Sequence, residues 1–339
     1  MDKTRRRVEY VWLDGKPNFP QMRSKARYIN MDDTYHGLPD WNFDGGSTLQ
    51  GNLENSDRCL RPVRAYKDPF NEDGLLVMCE VFYHNGVPHE SNLRTTLSTL
   101  VEKNPDAGYL VGMEQEFTFL NPANLEPLGL LLSPRAQGQY YCGVGCMNVI
   151  GRFIVEDFEK KCWEAGLELD GVNAEVMPGQ WEWQTTAQGP LKTADDLWMS
   201  RYILERVAEA HAAIVSYDPK PHPDMNGAGC HTNISTQKMR ESFGVDEQEE
   251  VMTHLGIDHV EHVKVCGEGL ESRMTGDCET SDYKVFSWGV GDRGASIRIP
   301  EQVNKEGAGY FEDRRPCANI DPYKVLYSLI STVNKSKVL

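Results

Sequence analysis

The stretch GMEQEFTFL, residues 112–120, has the pattern of a buried β-strand but carries two carboxylates, Glu114 and Glu116. Side chains two positions apart on a strand point to the same face of the sheet. Two negative charges on one face of a core strand cost free energy unless a cation lies beside them. The stretch leaves two candidates for that cation, which are a nearby lysine or arginine side chain and a metal ion.

Composition and charge narrow the classes of protein to which the chain can belong. The 339 residues are 40% hydrophobic and 25% charged, which is typical of a soluble globular protein and long enough for two domains. The formal net charge of −16 argues against nucleic acid or an anionic membrane as a partner. We interpret most of the excess acidic residues as keeping the protein soluble. A minority of the carboxylates is available to bind divalent cations.

Other features of the composition indicate the cellular compartment. No apolar run approaches the roughly 18 residues that a membrane-spanning helix needs, and the N-terminus has no apolar signal region. The nine cysteines are scattered, and Cys142 and Cys146 lack the second pair that would complete a zinc site. We therefore expect reduced thiols, no membrane partner and a cytoplasmic location.

The chain divides near residue 90 into a β-rich part and a part in which strands and helices alternate. The runs VEYVWLDG (8–15) and LLVMCEVFYHNG (75–86) are typical of strands that end in turns. The run ESNLRTTLSTLVEK (90–103) has helical spacing, and we place the domain boundary just before this helix. The predicted domains are therefore 1–90 and 91–339.

Two longer helices are predicted in the second part. GRFIVEDFEKKCWEAG (151–166) has helical spacing and ends in glycine. TADDLWMSRYILERVAEAHAAIV (193–215) opens with Thr193 and Asp196, which we interpret as a variant of the capping box. Four apolar residues of this helix are expected in the core: Leu197, Tyr202, Ile203 and Val207.

A second pair of carboxylates occurs in VNAEVMPGQWEWQ, residues 172–184. Pro178 and Gly179 suit the central positions of a type II turn. A two-residue hairpin at this turn would place Glu175 directly opposite Glu182, roughly 5 Å away. Because facing glutamates repel each other, and because valine, methionine and tryptophan surround them, this pair also indicates a cation.

A glycine-rich loop and a series of arginines suggest a ligand. In MNGAGCHTNIST (225–236), the glycines allow the backbone to approach something small, and their neighbour His231 suits a ligand-facing position. Surface salt bridges are one interpretation of the arginines, but guanidinium groups are also what phosphate and carboxylate recognition requires. The arginines of this series are Arg273, Arg293, Arg298, Arg314 and Arg315.

These features together predict a class of reaction. The chain has no P-loop and no kinase signature. Sites built of carboxylates suit Mg²⁺ or Mn²⁺, which commonly accompany nucleotide phosphates. Carboxylates, one histidine and several arginines therefore indicate ATP-dependent phosphoryl transfer onto a small anion.

At these residues the chain resembles the eukaryotic-type (type II) glutamine synthetases. The matching motifs occur in the order of the family and cover nearly the whole chain: LPDWNFDGGST (38–48), NSD (55–57), KDPF (67–70), GMEQEFT (112–118), YYCGVG (140–145), NAEVMPGQWE (173–182), YDPKP (217–221), NGAGCHTN (226–233), RMTGDCET (273–280), DRGASIRIP (292–300) and GYFEDRRP (309–316). The resemblance implies an α+β protein, with an N-terminal β-grasp domain followed by a catalytic domain that has a curved antiparallel sheet and flanking helices.

The resemblance also implies roles for individual residues. The positions that match metal ligands are Glu114, Glu116, Glu175, Glu182, His231 and Glu312. The positions that match glutamate-binding residues are Asn226, Gly227, Arg273 and Arg314. The positions that match nucleotide-binding residues are Asn233, Ser235, Arg293, Arg298 and Tyr310. The catalytic positions are Asp44 as the base that deprotonates ammonium, Asp57 in the ammonium pocket, Glu279 in the flap over the intermediate, and Arg293 at the transferred phosphate.

The implied reaction is the ATP-dependent ligation of ammonia to L-glutamate through γ-glutamyl phosphate. Two or three Mg²⁺ or Mn²⁺ ions per site are implied as cofactors, with ATP as a substrate. The implied assembly is a homo-oligomer of two stacked pentameric rings, with active sites between neighbouring subunits.

Several positions depart from the family pattern. Cys278 stands where the family has histidine before the flap glutamate, and Asp292 stands where it has asparagine. Leu110 and Met225 occupy positions usually held by tryptophan, and RAQGQ (135–139) replaces a proline-rich loop. None of these changes removes a metal ligand or a proton-transfer carboxylate, so we still expect an active enzyme.

Two alternatives to this ligase are considered. One is a ligase that joins glutamate to a larger amine, and the other is a scaffold protein that kept the fold without catalysis. The presence of all six metal ligands argues against the scaffold. Four residues together favour ammonium over a larger amine: Asp44, Asp57, Tyr141 and Glu279.

Overall fold

The computed structural model of the protein describes residues 4–31, 37–130 and 138–339. Residues 135–137 of the RAQGQ segment therefore lie outside the described residues.

The N-terminal part forms a five-stranded mixed sheet. The strand order is β2–β1–β5–β4–β3, in which β1 and β5 are parallel and the other neighbours are antiparallel. A short 3₁₀ helix, Gly45–Thr48, directly follows Asp44 in the chain. The strands are β1 (Thr4–Leu13), β2 (Met22–Met31), β3 (Trp41–Asp44), β4 (Asp57–Lys67) and β5 (Leu75–Phe82).

The second part contains an eight-stranded curled sheet with the order β11–β12–β13–β10–β6–β8–β7, and β9 also pairs with β6. The sheet is antiparallel, as predicted, except at the pair β11–β12, which is parallel. Three-residue strands carry no pattern that encodes the direction of pairing. The strands are β6 (Leu110–Leu120), β7 (Leu169–Ala174), β8 (Gln180–Thr185), β9 (Ile214–Ser216), β10 (Cys230–Ser235), β11 (Trp288–Val290), β12 (Ile297–Ile299) and β13 (Phe311–Asp313).

Helices flank the second sheet, and the first two lie where the sequence predicts them. No helix within the described ranges is long and apolar enough to cross a membrane. The helices are α1 (Leu93–Glu102), α2 (Arg152–Ala165), α3 (Pro190–Ala210), α4 (Gln237–Glu241), α5 (Val245–Ile257), α6 (His259–Val263), α7 (Leu270–Arg273), α8 (Glu301–Glu306) and α9 (Pro322–Val333).

Helix α3 begins before the predicted start, and the predicted capping box is wrong. Pro190 occupies the first turn, and no side chain caps the helix. The Thr193 hydroxyl instead donates to the Val111 carbonyl, and Asp196 accepts from the Tyr66 hydroxyl. Both side chains that were predicted to cap the helix therefore form hydrogen bonds with β6 and β4 instead. The core prediction for α3 is confirmed by four buried residues: Leu197, Tyr202, Ile203 and Val207.

Strand β6 lies at the centre of the second sheet and has two different faces. Met113, Phe117 and Phe119 are fully buried on one face. Glu114 and Glu116 are half-buried on the other face. The alternation predicted from the sequence is confirmed, and it separates the hydrophobic core from the carboxylates.

The turn between β7 and β8 forms at the predicted residues, but the strand register is different. Gly179 has a φ of 73°, as a type II turn requires. The Glu175 amide donates to the Gln180 carbonyl, and Asn173, rather than Glu175, lies opposite Glu182. The predicted direct pairing of the two glutamates is wrong because the turn is longer than two residues. The shift of two positions leaves both side chains on the same face.

Candidate active site

Among the described residues, six side chains form two groups that could each hold a metal ion. The candidate ligand atoms within each group lie within 4.8 Å of one another. The first group consists of Glu114, His231 and Glu312, and the second consists of Glu116, Glu175 and Glu182. The structure thus brings together all six residues that the sequence predicts as metal ligands.

Strand register assembles the first group. His231 of β10 lies opposite Glu114 of β6, and Glu312 of β13 lies opposite Asn233 of β10. The Nδ1 atom of His231 is 3.5 Å from a carboxylate oxygen of Glu114 and 3.5 Å from one of Glu312. The other ring nitrogen, Nε2, lies 3.1 Å from Nη2 of Arg273 and accepts its hydrogen bond. In the metal-free chain the proton of the neutral ring is therefore on Nδ1, which faces the two carboxylates, and a metal ion at Nδ1 would require the tautomer with the proton on Nε2.

Neutral groups hold the carboxylates of the second group. The Gly229 amide donates to Glu116 over 2.7 Å, and the side chains of Asn173 and Gln184 donate over 2.9 Å each. The acceptors of these two amide side chains are Glu175 and Glu182, respectively. In the part of the chain that the structure describes, no lysine or arginine forms a salt bridge with this group. The group is therefore short of positive charge.

The pKa values of the second group reflect this shortage. Burial, together with the charges of Glu116 and Glu114, raises the pKa of Glu182 to about 8. Burial, together with repulsion from Glu175, raises the pKa of Glu116. Burial and repulsion from Glu182 raise the pKa of Glu175. Buried carboxylates that resist ionisation on their own become ionised when a divalent cation binds, which fits Mg²⁺ or Mn²⁺.

Burial has the opposite effect on the histidine of the first group. It lowers the pKa of His231 well below the usual value, and the charge of Arg314 lowers it further. The imidazole is therefore neutral at physiological pH, which is the form that binds a metal ion.

Three arginines of the predicted series lie beside β13, two on one face and one on the other. Arg298 and Arg314 donate to the two carboxylate oxygens of Glu312 over 2.7 and 2.6 Å, on the side of the metal groups. Arg315 is fully buried on the other side and donates to both oxygens of Asp313. Arg315 therefore has a structural ion pair, whereas the first two lie where anions would bind.

A cavity of about 510 Å³ opens over both groups. The predicted site residues that line it are Glu114, Glu116, Glu175, Glu182, His231, Glu279, Arg293, Arg298, Glu312 and Arg314. Asn173 and Gln184 also line it, although the sequence analysis did not assign them. Each lies two positions from a predicted ligand on its strand, and this spacing was the signal that could have identified them.

The predicted glutamate-binding residues lie partly behind this cavity. Arg314 lines the cavity, whereas Asn226, Gly227 and Arg273 do not. A Cβ atom on Gly227 would lie 2.4 Å from a backbone oxygen, and one on Gly229 would lie 2.5 Å from Nη2 of Arg273. Only glycine permits this close approach, so the loop sequence explains how Arg273 reaches the histidine.

Two of the predicted nucleotide residues, Asn233 and Arg298, contact carboxylates of the first metal group. The Asn233 side chain donates to Glu114 over 2.7 Å, and Ser235 accepts from Arg240 over 2.9 Å. Arg293 and Arg298 line the cavity. Burial, and then the charge of Glu114, raises the pKa of Tyr310.

Glu279 belongs to a loop with unusual backbone geometry. Cys278 and Glu279 have φ values of 53° and 60°. Consecutive left-handed conformations cost non-glycine residues roughly 1–2 kcal/mol each. The Glu279 side chain lines the cavity, and its carbonyl accepts from Arg314 over 3.5 Å. Backbone strain at two consecutive residues therefore lies in the segment for which the resemblance implies a flap.

The two predicted ammonium-site aspartates lie in the N-terminal sheet. Asp44 of β3 and Asp57 of β4 are opposite each other, and both are exposed. Hydrogen bonds from the Ser47 hydroxyl and the Gly46 amide lower the pKa of Asp44. Neither aspartate lines the cavity over the six ligands. A single chain therefore does not bring these aspartates together with the metal groups.

Comparisons with known proteins agree with this architecture. The β-grasp domain model of glutamine synthetase matches residues 4–84, and the catalytic domain model matches residues 90–260. The chain is 46% identical over 331 residues to a glutamine synthetase of Emericella nidulans, covering 96% of this chain and 92% of the relative. The chain belongs to the glutamine synthetase family. A cytosolic glutamine synthetase isozyme of Arabidopsis thaliana is 44% identical over 333 residues, with coverage of 96% and 93%.

Relatives also include a bacterial glutamine synthetase. The protein from Streptomyces viridochromogenes is 44% identical over 331 residues, with 96% of both chains covered. The cryo-EM structure of Plasmodium falciparum glutamine synthetase matches with a TM-score of 0.79 and 17% identity, covering 97% of this chain and 72% of that one. The predicted α+β fold, with its N-terminal β-grasp domain, is confirmed. The reaction of the glutamine synthetase family is the ATP-dependent ligation of ammonia to glutamate.

Proposed function

We propose that this chain makes L-glutamine from L-glutamate, ammonium and ATP through a γ-glutamyl phosphate intermediate. One observation carries the proposal. Six predicted ligands from distant parts of the sequence form two groups, and the ligand atoms within each group lie within 4.8 Å of one another. Buried carboxylates without partner cations destabilise a fold, so a protein without catalysis would gain stability by losing them.

The two groups would hold two or three Mg²⁺ or Mn²⁺ ions, because their oxygen and imidazole donors suit these metals. When bound, such ions neutralise the phosphate oxygens of ATP and polarise the transferred phosphoryl group. The first group would hold one ion, and the second group would hold the remainder.

The arginines would bind the two anionic substrates. Arg293 and Arg298 would contact the transferred phosphate and the nucleotide, and Arg273 and Arg314 would contact glutamate, beside Asn226 and Gly227. An oxygen of the γ-carboxylate then attacks the γ-phosphorus, the bond to ADP breaks, and the acyl phosphate forms. Asn233, Ser235 and Tyr310 would hold the nucleotide during this step.

The second step transfers nitrogen. Asp44 would take a proton from ammonium, with Asp57 beside it, because protonated ammonium has no lone pair for attack. The nitrogen of ammonia then attacks the acyl carbon, the bond to phosphate breaks, and the nitrogen loses a second proton to give the neutral amide. Glu279 would close over the intermediate and exclude water, which would otherwise hydrolyse it.

The assembly that we propose is a homo-oligomer of two stacked pentameric rings in the cytoplasm. The position of Asp44 and Asp57 supports it, because both lie outside the cavity of their own chain. The N-terminal sheet of a neighbouring subunit would bring these carboxylates to the site. The domains 1–90 and 91–339 would thus contribute to different active sites.

A test measures phosphate release and glutamine formation from glutamate, ATP and Mg²⁺, with and without ammonium. We expect the wild type to form glutamine only with ammonium, and Glu279→Ala to release phosphate in excess of glutamine because water reaches the acyl phosphate. Glu249→Gln, an exposed substitution on α5, serves as the control.

Two outcomes would contradict the proposal. The absence of glutamine from a folded, oligomeric wild type would favour a scaffold. Product formation with ethylamine but not with ammonium would favour a ligase for a larger amine.

A further inference from the structure

A buried arginine lies directly behind the strand that carries two of the metal-site glutamates. Arg201 of α3 is fully buried. Its guanidinium carbon lies 4.6 Å from the ring centre of Trp198 and 5.3 Å from that of Tyr217. The aromatic faces contribute to stabilising a charge at this depth.

The hydrogen bonds of Arg201 in the described structure go to neutral oxygens. Its Nε and Nη2 atoms donate to the Gln115 side-chain oxygen over 2.9 and 2.5 Å. Its Nη1 and Nη2 atoms donate to the carbonyls of Ile320 and Ala318 over 2.9 and 3.0 Å. Arg201 therefore ties β6 to the segment that follows β13.

Gln115 transmits this restraint to β6, which carries Glu114 and Glu116 and is called the metal strand below. Gln115 is fully buried and lies between Glu114 and Glu116, on the opposite face of β6. Its Nε2 atom donates to the carbonyl of Glu116 over 2.7 Å and to the carbonyl of Ala318 over 3.0 Å. The peptide that carries one metal-site glutamate is thus fixed from behind.

The segment held by Arg201 also pairs with the glycine loop. The Ala318 amide donates to the Ala228 carbonyl over 3.0 Å, and the Glu116 amide donates to the Gly229 carbonyl over 2.9 Å. The loop between these contacts directly follows Asn226 and Gly227. Its position therefore depends on the same backbone segments that Arg201 and Gln115 hold together.

We propose that Arg201, acting through Gln115, is a positioning residue. It sets the distance between the metal strand and the glutamate-binding loop, which is the loop of residues 226–229. The inference rests on the proposed function, because the glutamate-binding role of this loop is part of that proposal. Arg201 donates to Gln115, Ile320 and Ala318, on the opposite side of β6 from Glu114 and Glu116, so it would act through Gln115.

The contacts predict a selective kinetic effect. Ser235, Arg298 and Tyr310 of the proposed nucleotide region make no hydrogen bond with Arg201 or Gln115 within the described structure. A loss of the restraint should therefore raise KM for glutamate more than KM for ATP. Small displacements at a distance can change catalytic parameters by about tenfold to hundredfold.

The experiment compares the full-length wild type with Arg201→Met, Arg201→Lys and Gln115→Glu. Arg206→Met is the matched control, because Arg206 is on the same helix and donates to Tyr202 instead. KM values for glutamate and ATP are measured, and Mn²⁺ affinity is measured by calorimetry. Gln115→Glu keeps an acceptor for Arg201 but removes the donor to Glu116, and it decides the question if Arg201→Met does not fold.

With Mg²⁺ at saturating concentration, we expect Arg201→Met and Gln115→Glu to raise KM for glutamate by about tenfold or more, and KM for ATP by no more than about twofold. Mn²⁺ affinity should fall in both, and Arg201→Lys should recover part of each loss. Unchanged glutamate KM and Mn²⁺ affinity in the folded variants, or equal rises in both KM values, would overturn the inference.

Failure of the proposed function has a different signature, since the wild type would then form no glutamine. In that case the Mn²⁺ affinities of the same variants still test the positioning role. Affinities equal to that of the wild type would overturn it.

Discussion

Two sets of carboxylates in the interior of this chain differ in how their charge is neutralised. The junction aspartates, Asp195 and Asp196 of α3, lie where the N-terminal sheet meets the catalytic domain. Asp195 accepts hydrogen bonds from Arg64, Arg94 and Tyr323 at distances between 2.7 and 3.0 Å. Arg64 belongs to β4 and Tyr323 to α9, so this carboxylate joins three parts of the chain.

The second group of the site, Glu116, Glu175 and Glu182, accepts hydrogen bonds only from neutral donors among the described residues. Both sets of carboxylates are therefore buried, but only the junction aspartates have cationic partners. A buried carboxylate with matched cations stabilises one arrangement of the chain, whereas one without them keeps binding capacity for a cation from solution. The comparison separates the junction aspartates from the second metal group, whereas Glu312 of the first group has two arginine partners.

The largest expected effect is at the junction aspartates. Asp195→Asn removes the buried negative charge that pairs with Arg64 and Arg94 and, among the described residues, leaves Arg94 with only the more distant Glu80 at 3.6 Å. The free energy of unfolding should fall by about 3–5 kcal/mol, measured by urea denaturation. The exposed substitution Glu249→Gln should change it by less than about 0.5 kcal/mol. A decrease of less than about 1 kcal/mol in the free energy of unfolding of Asp195→Asn would contradict the claim that this ion pair stabilises the fold.

The same type of substitution in the second group should have the opposite sign. The pKa of Glu182 is raised to about 8 by burial, above its value in the unfolded chain. Ionisation therefore destabilises the folded, metal-free protein increasingly as the pH rises towards 8. Glu182→Gln should raise the free energy of unfolding by about 1–3 kcal/mol at pH 8.5 in EDTA.

Divalent metal should reverse this order of stability. Addition of Mn²⁺ should stabilise the wild type more than Glu182→Gln, because the metal binds the folded state. Thermal unfolding with and without Mn²⁺ tests both statements. A Glu182→Gln protein that is less stable than the wild type in EDTA would argue that this glutamate has a structural role.

Glu205 of α3 extends the comparison to a carboxylate outside the site. Burial, and then the charge of Glu209, raises the pKa of Glu205 to about 7. No hydrogen bond or ion pair reaches it from the described residues. Because the folded protein holds the proton more tightly than the unfolded chain, stability should be lost as the pH rises from about 4.5 to about 7.

Glu205→Gln should remove this loss. The variant should exceed the wild type by about 1–2 kcal/mol at pH 8 and match it at pH 4, measured by urea denaturation. Equal stability of the two proteins at both pH values would show that burial without a cationic partner is not what separates the two sets.

The sequence predicted the elements that local patterns determine. The alternation in β6, the two helices α1 and α2 and the glycine at the β7–β8 turn are properties of neighbouring residues. The six metal ligands were identified by resemblance, and their grouping in space follows from the register of strands that are far apart in the chain.

Other features depend on tertiary contacts and could not be predicted from local patterns. Thr193 and Asp196 have the residue types of a cap, but β6 and β4 offer them other partners. The length of the turn after Glu175 decides the register of β7 and β8, and composition does not specify it. The location of Asp44 away from the cavity follows from domain packing, on which the spacing of residues carries no information.

The most direct test of the account is calorimetric titration of the metal-free protein with Mn²⁺, using the wild type, Glu116→Gln and Glu312→Gln. The account predicts saturable binding of at least two ions per chain, one for each group, and the loss of a different ion in each variant. No saturable binding to the wild type, or binding unchanged in both variants, would contradict the claim that these glutamates are reserved for divalent cations.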